Sequence, residues 1–354
     1  MRPQEVKSYS REEIMARIGQ LHRVRLAVLP TPLQDCPRLS ADLGGPRILV
    51  KRDDLTGLAL GGNKTRKLEF WMADAQDKSA NLVVTGAAVQ SNLCRQTAAA
   101  ANILGMKAVL VLFGKIGAEL QGNLLLDAIL DAKIVNVVEG DHDSIRPVIY
   151  RIADEYRKKG YNPFVIDDLG PSGPLGSVAY VQCALEVSQQ LEEQGVIADY
   201  LVVASGAGGT HAGLALGARL LGAPFKVLGI SVRRRRDEIM PSVADRANGA
   251  AAKLAVAATL SADEVLVDDR YVGKGYGIPT DLGIEAIRLV AKTEGLILDP
   301  TYTGKVMSGL IALIRQGYFP RGSTVVYLHT GGTPIIFARG DLPGITPDIQ
   351  TTVA

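Results

Sequence analysis

The sequence predicts an α/β fold of mostly parallel sheets that are covered by helices on both faces. Short β-branched runs alternate with longer amphipathic segments through nearly all of the 354 residues. The strand segments are apolar almost without interruption, which is typical of parallel strands that are buried on both faces. Hydrophobic residues make up 47% of the chain, and a chain of this length can bury one large core or two smaller ones.

Each predicted element follows from its periodicity and its flanking residues. In chain order the predicted strands are 47–51, 81–86, 107–113, 133–138, 163–167, 200–205, 226–232 and 323–330. The predicted helices include 92–104, 146–159, 176–193, 210–221, 281–294 and 304–316. Near the N-terminus, Ser10 and Glu13 have the spacing of a capping box, which predicts the start of a further helix.

Charge and cysteine content argue against several classes of protein. The 39 basic and 37 acidic residues nearly cancel, so the chain has no excess of positive charge to attract nucleic acid, which normally requires a clustered basic surface. The three cysteines lie far apart without metal-ligand spacing, and we expect neither a disulfide framework nor a metal site. No apolar run reaches membrane-spanning length and the N-terminus has no secretory core segment. We therefore expect a cytoplasmic protein that does not bind membranes.

Glycine-rich and hydroxyl-bearing loops follow several of the predicted strands. In α/β sheets, ligands bind beyond the carboxyl ends of the strands. The loops at these ends read AAVQSN, SGAGGTHAG and GGTP. Because these loops are distant in sequence but follow strands of the same kind, we expect them to form one polar site together.

The loop at 205–210, SGAGGT, predicts an anion site. Consecutive backbone N–H groups at a helix N-terminus attract an anion, and the helix dipole adds to this attraction. The loop is neither the dinucleotide fingerprint nor a P-loop, because it lacks the Gly-Lys-Ser/Thr ending. A phosphate monoester is the better ligand for it. The alternative is a turn whose glycines serve packing alone.

Two lysines follow a glycine pair in the segment LALGGNKTRKLEF, and their spacing raises a question of charge. Lys64 and Lys67 lie on one helix face, where like charges repel unless an anion lies between them or one of them is not a free ammonium. A solvated basic face is the simpler interpretation. A phosphate site, this lysine pair and the lack of a metal site together favour pyridoxal phosphate, with Lys64 as its Schiff base and Lys67 facing its phosphate.

Five motifs in order resemble the D-cysteine desulfhydrase group, which belongs with the 1-aminocyclopropane-1-carboxylate deaminases to the tryptophan-synthase-β-like (fold type II) pyridoxal-phosphate enzymes. The motifs are KRDDLTGLALGGNKTRKLEF, GAAVQSNLCRQTAAAANILGMKAVLVL, ASGAGGTHAG, GYGIPTDLGIEAIRLVAKTEGLILDPTYTGK and LHTGGTP. The resemblance runs from about Leu26 to Ala338. It is weakest at 168–174, DLGPSGP, where a Gly-Gly-Ser-Asn run is expected, and at Leu93, where histidine is expected.

The resemblance implies roles for the cofactor-binding residues. Lys64 would hold the cofactor and, once released, would act as the base for the substrate Cα proton. Asn92 would bond the phenolic oxygen of the cofactor, and Thr330 would meet the pyridine nitrogen. The phosphate would be held by Lys67 and by the loop residues Ser205, Gly206, Ala207, Gly208, Gly209 and Thr210.

The resemblance also implies substrate-binding residues. Gln90, Ser91 and Asn92 open a predicted helix, so that their N–H groups would receive the substrate carboxylate. Tyr276 and Tyr302 are candidates for acid–base work or for orienting the leaving group, although each could be a packed core residue. The predicted catalytic residues are thus Lys64, Ser91, Tyr276 and Tyr302.

The implied reaction is a β-elimination that yields pyruvate and ammonia. D-cysteine desulfhydrase activity, which releases sulfide, is our first expectation, and L-cysteate sulfo-lyase activity, which releases sulfite, is the alternative. Arg233 follows a predicted strand and could bind a sulfonate, or it could lie in a solvated loop. Ring-opening deaminase activity is disfavoured because Thr303 stands where a glutamate is expected. A non-catalytic small-molecule sensor on the same fold is a hypothesis of another class.

The resemblance further implies two domains and a homodimer. Residues 1–65 and 175–354 would form a large cofactor-binding domain. Residues 66–174 would form a smaller α/β domain inserted within it. We expect the active site in the cleft between the two domains, which can close on substrate.

Overall fold

The computed structural model describes residues 8–338 and Leu342 and consists of alternating strands and helices. The strands are β1 (Leu33–Asp35), β2 (Arg47–Lys51), β3 (Leu82–Ala88), β4 (Lys107–Phe113), β5 (Lys133–Val137), β6 (Pro163–Ile166), β7 (Tyr200–Ser205), β8 (Lys226–Ser231), β9 (Leu266–Asp268) and β10 (Thr324–Leu328). The helices are α1 (Arg11–Ile18), α2 (Pro37–Leu43), α3 (Lys64–Asp77), α4 (Asn92–Ile103), α5 (Gly122–Ile129), α6 (Arg146–Lys158), α7 (Gly173–Glu193), α8 (Gly209–Leu221), α9 (Arg236–Lys253), α10 (Asp281–Glu294) and α11 (Thr303–Arg315).

The strands form two separate sheets. The six-stranded sheet has the order β1-β2-β10-β7-β8-β9, and the four-stranded sheet has the order β5-β4-β3-β6. Only β1 runs antiparallel to its neighbour among the described pairs. All other carboxyl ends within a sheet therefore point to one edge, as ligand binding in α/β folds requires.

Alternate residues of the central strands pack into different cores. In β7, Leu201 and Val203 belong to one hydrophobic cluster, whereas Val202 belongs to another on the opposite face of the sheet. In β4, Leu110 belongs to a cluster that includes residues of α4, while Val109 belongs to another that includes residues of α6. Because both faces of each sheet are covered by helices, the strands need apolar residues at nearly every position. The predicted fold class is confirmed.

The eight predicted strands are present to within two residues at each end, and the six predicted helices to within three. The capping box of Ser10 and Glu13 opens α1. The two edge strands β1 and β9 were not predicted, because three residues are too few to show a strand period.

The predicted domain division remains a prediction. The four-stranded sheet takes its strands from residues 82–166, inside the proposed insertion 66–174, and the six-stranded sheet takes its strands from both flanking parts of the chain. Residues 1–7, 339–341 and 343–354 of the predicted large domain lie outside the described residues. Within the described part of the chain, no helix combines the length and the hydropathy needed to span a bilayer.

Candidate active site

The loops at the carboxyl ends of both sheets surround one cavity. Segments that follow β2, β3, β6, β7, β8 and β10 contribute to its wall, together with chain that follows β5 and β9. The predicted site residues that line it are Lys64, Lys67, Ser91, Asn92, Gly206, Ala207, Gly208, Gly209, Thr210, Tyr276, Tyr302 and Thr330. Gln90 and Ser205 do not line it.

The glycine pair before α3 allows a tight turn that delivers Lys64 to the cavity. Gly61 and Gly62 have φ angles of 66° and 122°, which favour glycine. A Cβ on Gly61 would lie 2.0 Å from the carbonyl oxygen of Asp54. Thr56 fixes the turn by bonding both the N–H and the carbonyl group of Gly62 at 2.8 Å. Lys64 is then the first residue of α3.

Asn63 joins this turn to two other loops of the site. Its backbone N–H donates to the carbonyl oxygen of Thr330 at 3.0 Å. Its side-chain amide donates to the hydroxyl of Thr210 at 3.0 Å. The lysine turn, the glycine loop and the segment after β10 are therefore held in one arrangement, and Thr330 faces the cavity. Sequence reasoning did not identify Asn63.

Lys64 and Lys67 share a face of α3, and a carboxylate lies between them. The Nζ atoms of Lys64 and Lys67 lie 3.2 Å and 3.4 Å from the two carboxylate oxygens of Asp168. Burial lowers the pKa of Lys67 to about 7, although Asp168 opposes that shift. The carboxylate of Asp168 therefore relieves the repulsion between Lys64 and Lys67 that their spacing in the sequence implies.

The glycine loop after β7 presents backbone donors to the cavity. Gly208 has a φ angle of 89° and precedes the first turn of α8. Among the described hydrogen bonds, none has an N–H group of residues 206–210 as its donor. Ser205 lies behind the loop, where its hydroxyl is 3.2 Å from Nδ1 of the buried His211. The backbone of this loop, not the Ser205 hydroxyl, faces the cavity.

The N-terminus of α4 forms a second donor group. Ser91 caps the helix by accepting a bond from the N–H of Cys94 at 3.2 Å. The N–H groups of Ser91, Asn92 and Leu93 have no acceptor within the described hydrogen bonds. These groups can bind a carboxylate. Gln90 instead accepts a bond from the N–H of Asn123, near the start of α5, at 2.8 Å.

Two side chains that do not line the cavity fix the orientation of the Asn92 side chain. Its Oδ1 atom accepts hydrogen bonds from Arg95 at 3.1 Å and from the Asn123 side chain at 3.0 Å. A guanidinium has donors only, so the oxygen of the Asn92 amide must face it. The Nδ2 group of Asn92 is therefore available as a donor to a ligand in the cavity. Sequence reasoning did not identify Arg95.

Two tyrosines meet on the wall of the cavity. The hydroxyl groups of Tyr276 and Tyr302 are in hydrogen-bond contact, and their rings pack edge-on with centroids 5.8 Å apart. Burial raises the pKa of Tyr276 to about 12 and that of Tyr302 well above its usual value. Both hydroxyls therefore stay protonated at neutral pH and can act as proton donors.

Three further residues of the wall come from the segment after β5 and the loop after β8. His142 packs edge-on against Tyr276 with ring centroids 5.0 Å apart. Burial, reinforced by the nearby Arg233, lowers the pKa of His142 to about 3, so its imidazole is neutral. Arg233 lines the cavity with its side chain 15% exposed and forms an ion pair with Asp143 at 3.1 Å. Arg146 also lines the cavity and pairs with Asp167 at 2.8 Å.

Arg233 is the first of four consecutive arginines, residues 233–236, and these do not share one environment. Arg233 contacts the cavity, whereas Arg235 caps the start of α9 with a side chain that is 82% exposed and pairs only with the exposed Asp237 among the described residues. The solvated-loop interpretation therefore holds for Arg235 but not for Arg233. In the described part of the chain, no group of three or more His, Cys, Asp or Glu side chains could hold a metal ion. The three cysteines are free and buried.

The cavity meets the requirements of a ligand that carries an aldehyde and a phosphate. A lysine amine lies in its wall, and the unbonded N–H groups of residues 206–210 lie beside a second lysine. A Cβ on Gly209 would lie 2.8 Å from Nζ of Lys67, so only glycine leaves the space beside this ammonium open. Residues 24–331 match the family model of pyridoxal-phosphate dependent enzymes. The chain belongs to this family. Its cofactor is pyridoxal phosphate.

Similar proteins agree with this assignment. The chain is 44% identical over 322 residues to the D-cysteine desulfhydrase of Salmonella paratyphi A, covering 89% of this chain and 95% of the relative. It is 43% identical over the same length, with the same coverage, to the D-cysteine desulfhydrase of Salmonella newport.

Solved structures show the same fold. A crystal structure of an ACC deaminase homologue is 38% identical and superposes with a TM-score of 0.84 over 92% of this chain and 96% of the other. The crystal structure of a threonine deaminase from T.th. superposes with a TM-score of 0.61 over 95% of this chain and all of its own, at 20% identity. The prediction of a fold type II pyridoxal-phosphate enzyme is confirmed.

Proposed function

We propose that the enzyme converts D-cysteine and water to pyruvate, ammonia and hydrogen sulfide. The observation that carries the proposal is the position of Lys64, whose amine lies in the wall of a cavity that also contains two groups of unbonded N–H donors. The 44% identity to a protein named D-cysteine desulfhydrase supports this substrate.

The chain offers a partner for each functional group of the cofactor. Lys64 would bind the aldehyde, and Lys67 with the N–H groups of residues 206–210 would hold the phosphate. The Nδ2 group of Asn92 would donate to the phenolic oxygen. Thr330 would meet the pyridine nitrogen. When bound, pyridoxal phosphate withdraws electrons from the substrate Cα, which acidifies the Cα hydrogen and allows a β-substituent to leave.

Other residues would orient the substrate and move protons. The N–H groups at the start of α4, with the Ser91 side chain beside them, would bind the substrate carboxylate and so fix the position of Cα. The Lys64 amine would remove the Cα proton. The Tyr276–Tyr302 pair would donate a proton to the departing sulfur, because both hydroxyls stay protonated at neutral pH.

One observation favours a second substrate. Arg233 places a guanidinium in the cavity wall, and its single ion pair among the described residues is with the exposed Asp143. A sulfonate carries a full negative charge and is stabilised by such a donor. We therefore retain L-cysteate, with sulfite as the leaving group, as the alternative substrate.

The remaining alternatives have less support. Thr303, which stands where the ring-opening deaminases are expected to have a glutamate, is buried, donates to Asp299 at 2.7 Å and does not line the cavity. Position 303 therefore gives no support to deaminase activity. The sensor hypothesis predicts no covalent bond between cofactor and chain, whereas the chain belongs to an enzyme family and has a lysine in its cavity.

Product formation measured side by side tests the proposal. Pyruvate and sulfide are measured with D-cysteine, L-cysteine, L-cysteate, β-chloro-D-alanine and 1-aminocyclopropane-1-carboxylate. We expect the highest kcat/KM for D-cysteine with equal amounts of pyruvate and sulfide. Lys64→Ala should lower the rate by at least about a thousandfold. It should also remove the absorbance of the lysine-bound cofactor near the boundary between the ultraviolet and visible ranges. Lys78→Ala, which changes an exposed lysine of the same chain, should do neither. A D-cysteine rate that survives Lys64→Ala contradicts the proposal.

The assembly and the cellular location also belong to the proposal. We propose a homodimer, which is usual in the enzyme family that the sequence resembles. We also propose a reducing, cytoplasmic environment, of which free buried cysteines such as the three in this chain are typical. Light scattering that gives the mass of one chain would contradict the dimer.

A further inference from the structure

Asp168 is a buried carboxylate among three cations. Besides Lys64 and Lys67, Arg246 approaches it and donates from Nη2 to its backbone carbonyl oxygen at 2.8 Å. Burial alone would raise the pKa of Asp168, but Lys67, Lys64 and Arg246 together lower it well below the usual range. The residue is therefore ionised, and the three cations exceed it in charge.

The carboxylate also lies beside the first turn of α8. A Cβ placed on Gly209 would be 3.6 Å from Oδ1 of Asp168 and 2.8 Å from Nζ of Lys67. Gly209 belongs to the loop whose N–H groups have no acceptor in the described hydrogen bonds. An anion supplied by the chain itself thus lies next to the donors and the ammonium to which we assign the cofactor phosphate.

We propose that the Asp168 carboxylate acts as an internal ligand of the phosphate site, and that a phosphate group must displace it from Lys67 in order to bind. This inference rests on the proposed role of residues 206–210 and Lys67 in phosphate binding. Asp168 is a positioning residue: in the cofactor-free enzyme it holds both lysines in the cavity, and it lowers the affinity of the site for any other anion.

The displacement involves the side chain rather than the turn that carries it. The backbone of Asp168 is held by Arg246, and the following turn is closed by bonds from the N–H groups of Gly170 and Ser172 to the carbonyl oxygen of Asp167 at 3.0 Å and 3.2 Å. A carboxylate needs only a rotamer change to leave the lysines. The same segment, 168–174, is where the resemblance to the D-cysteine desulfhydrase group is weakest.

Asp168→Asn tests the inference because it removes the charge and keeps the shape. Full-length protein is freed of cofactor, and its affinity for inorganic phosphate is measured by calorimetry at one pH. We expect the variant to bind phosphate about tenfold more tightly, equivalent to about 1.4 kcal/mol. Asp167→Asn is the matched control: Asp167 is adjacent and lines the same cavity, but it pairs with Arg146 and Tyr150 instead of the lysines. It should leave the phosphate affinity nearly unchanged.

A second comparison separates the phosphate from the lysine chemistry. Affinities for pyridoxal phosphate and for pyridoxal, which lacks the phosphate, are measured on each variant. If Asp168→Asn acts only by freeing Lys64, the affinities for pyridoxal phosphate and for pyridoxal should rise equally. If it acts by removing a competing anion from the phosphate site, the affinity for pyridoxal phosphate should rise more. Phosphate binding does not depend on any reaction with D-cysteine, so this test can fail while the proposed function stands, and the reverse also holds.

Further measurements cover the other outcomes. Asp168→Glu keeps the charge and should bind phosphate as weakly as the unchanged protein. Equal or weaker phosphate binding by Asp168→Asn, or tight binding by Asp168→Glu, would overturn the inference. If Asp168→Asn does not fold, a crystal structure of the unchanged protein with phosphate decides. A carboxylate that still contacts both lysines there would also overturn it.

Discussion

The Nη1 group of Arg95 donates a hydrogen bond to Oδ1 of Asn92 at 3.1 Å. From the same guanidinium, Nη2 donates to the carbonyl oxygen of Gly61 at 2.7 Å. One buried arginine therefore connects the start of α4 with the turn that precedes Lys64. Through this connection, the orientation of the Asn92 amide in the cavity wall and the position of Lys64 depend on each other.

Arg95→Gln should weaken cofactor binding about tenfold, because the Asn92 amide loses the charged one of the two donors that fix its orientation and keeps only the Asn123 side chain. Asp127→Asn is the control, since Asp127 acts on Arg95 by charge but makes no described hydrogen bond to Asn92. That control should change stability without changing cofactor affinity. Absorbance titration with pyridoxal phosphate and thermal unfolding measure the two effects. Equal cofactor affinities in both variants would refute a positioning role for Arg95.

Gly61→Ala should destabilise the protein by about 3 kcal/mol or more, because the new methyl group would meet the Asp54 carbonyl and the φ angle is positive. Gly105→Ala provides the comparison: its φ of 68° is nearly the same, but no atom lies within 4 Å of the added Cβ. There the cost should be about 1 kcal/mol, from backbone conformation alone. Urea unfolding of both variants gives the difference. Similar losses in the two would mean that the contact with Asp54 is unimportant.

Tyr276→Phe and Tyr302→Phe should each lower kcat by about 100-fold or more, as expected when a general acid is removed. Because burial raises the pKa of both tyrosines, the rate of the unchanged enzyme should not fall from their ionisation below about pH 10. Tyr318→Phe, at a half-exposed ring away from the cavity, is the control. If neither cavity variant slows the reaction, the pair has only a packing role.

Anion affinity should fall as the pH rises above about 7. Burial places the pKa of Lys67 near 7, below that of a lysine in the unfolded chain, and anion binding needs its protonated form. The affinity should therefore drop by up to about tenfold per pH unit above that value. Over the same range the unfolded chain binds the additional proton, so Lys67 makes the folded state more stable as the pH rises.

Sulfate is the suitable probe for this dependence, because its charge does not change near neutral pH in the way that the charge of phosphate does. Calorimetry of cofactor-free protein at several pH values gives the profile. Lys67→Gln should flatten it. A profile that keeps its slope in Lys67→Gln would assign the titration to another group.

Arg233→Gln should lower kcat/KM for L-cysteate about tenfold while leaving that for D-cysteine unchanged, because only the sulfonate carries a charge to the guanidinium. Arg235→Gln removes the same charge from the same run at an exposed position and should affect neither substrate. Steady-state kinetics with both amino acids decide. Equal losses for D-cysteine and L-cysteate would show that Arg233 supports the structure and does not select the leaving group.

The sequence was informative where function depends on local pattern. The turn of Gly61 and Gly62, the spacing of Lys64 and Lys67, and the donors at 206–210 are each readable within a short segment. Their physical requirements, a positive φ, a shared helix face and a free helix N-terminus, leave a signature in the chain. The structure brings the lysines and the donors together in one cavity.

Residues whose role depends on distant neighbours could not be predicted. Asp168 lies far along the chain from the lysines that it contacts, and Arg95 resembles any charged residue of a helix. His142 and Arg146 belong to a segment without a glycine motif. The two lysines did indicate that an anion must lie between them, but the sequence could not say that Asp168 supplies one.

The order of strands has a consequence for biosynthesis. β10 is the last of the described strands to be translated, yet it lies between β2 and β7 in the interior of its sheet. On the ribosome, β2 and β7 cannot reach their final places until residues 324–328 have emerged. A nascent chain arrested before that point would lack both the middle of the sheet and Thr330. We therefore expect this enzyme to acquire vitamin B6 only after the segment that contains β10 has been translated.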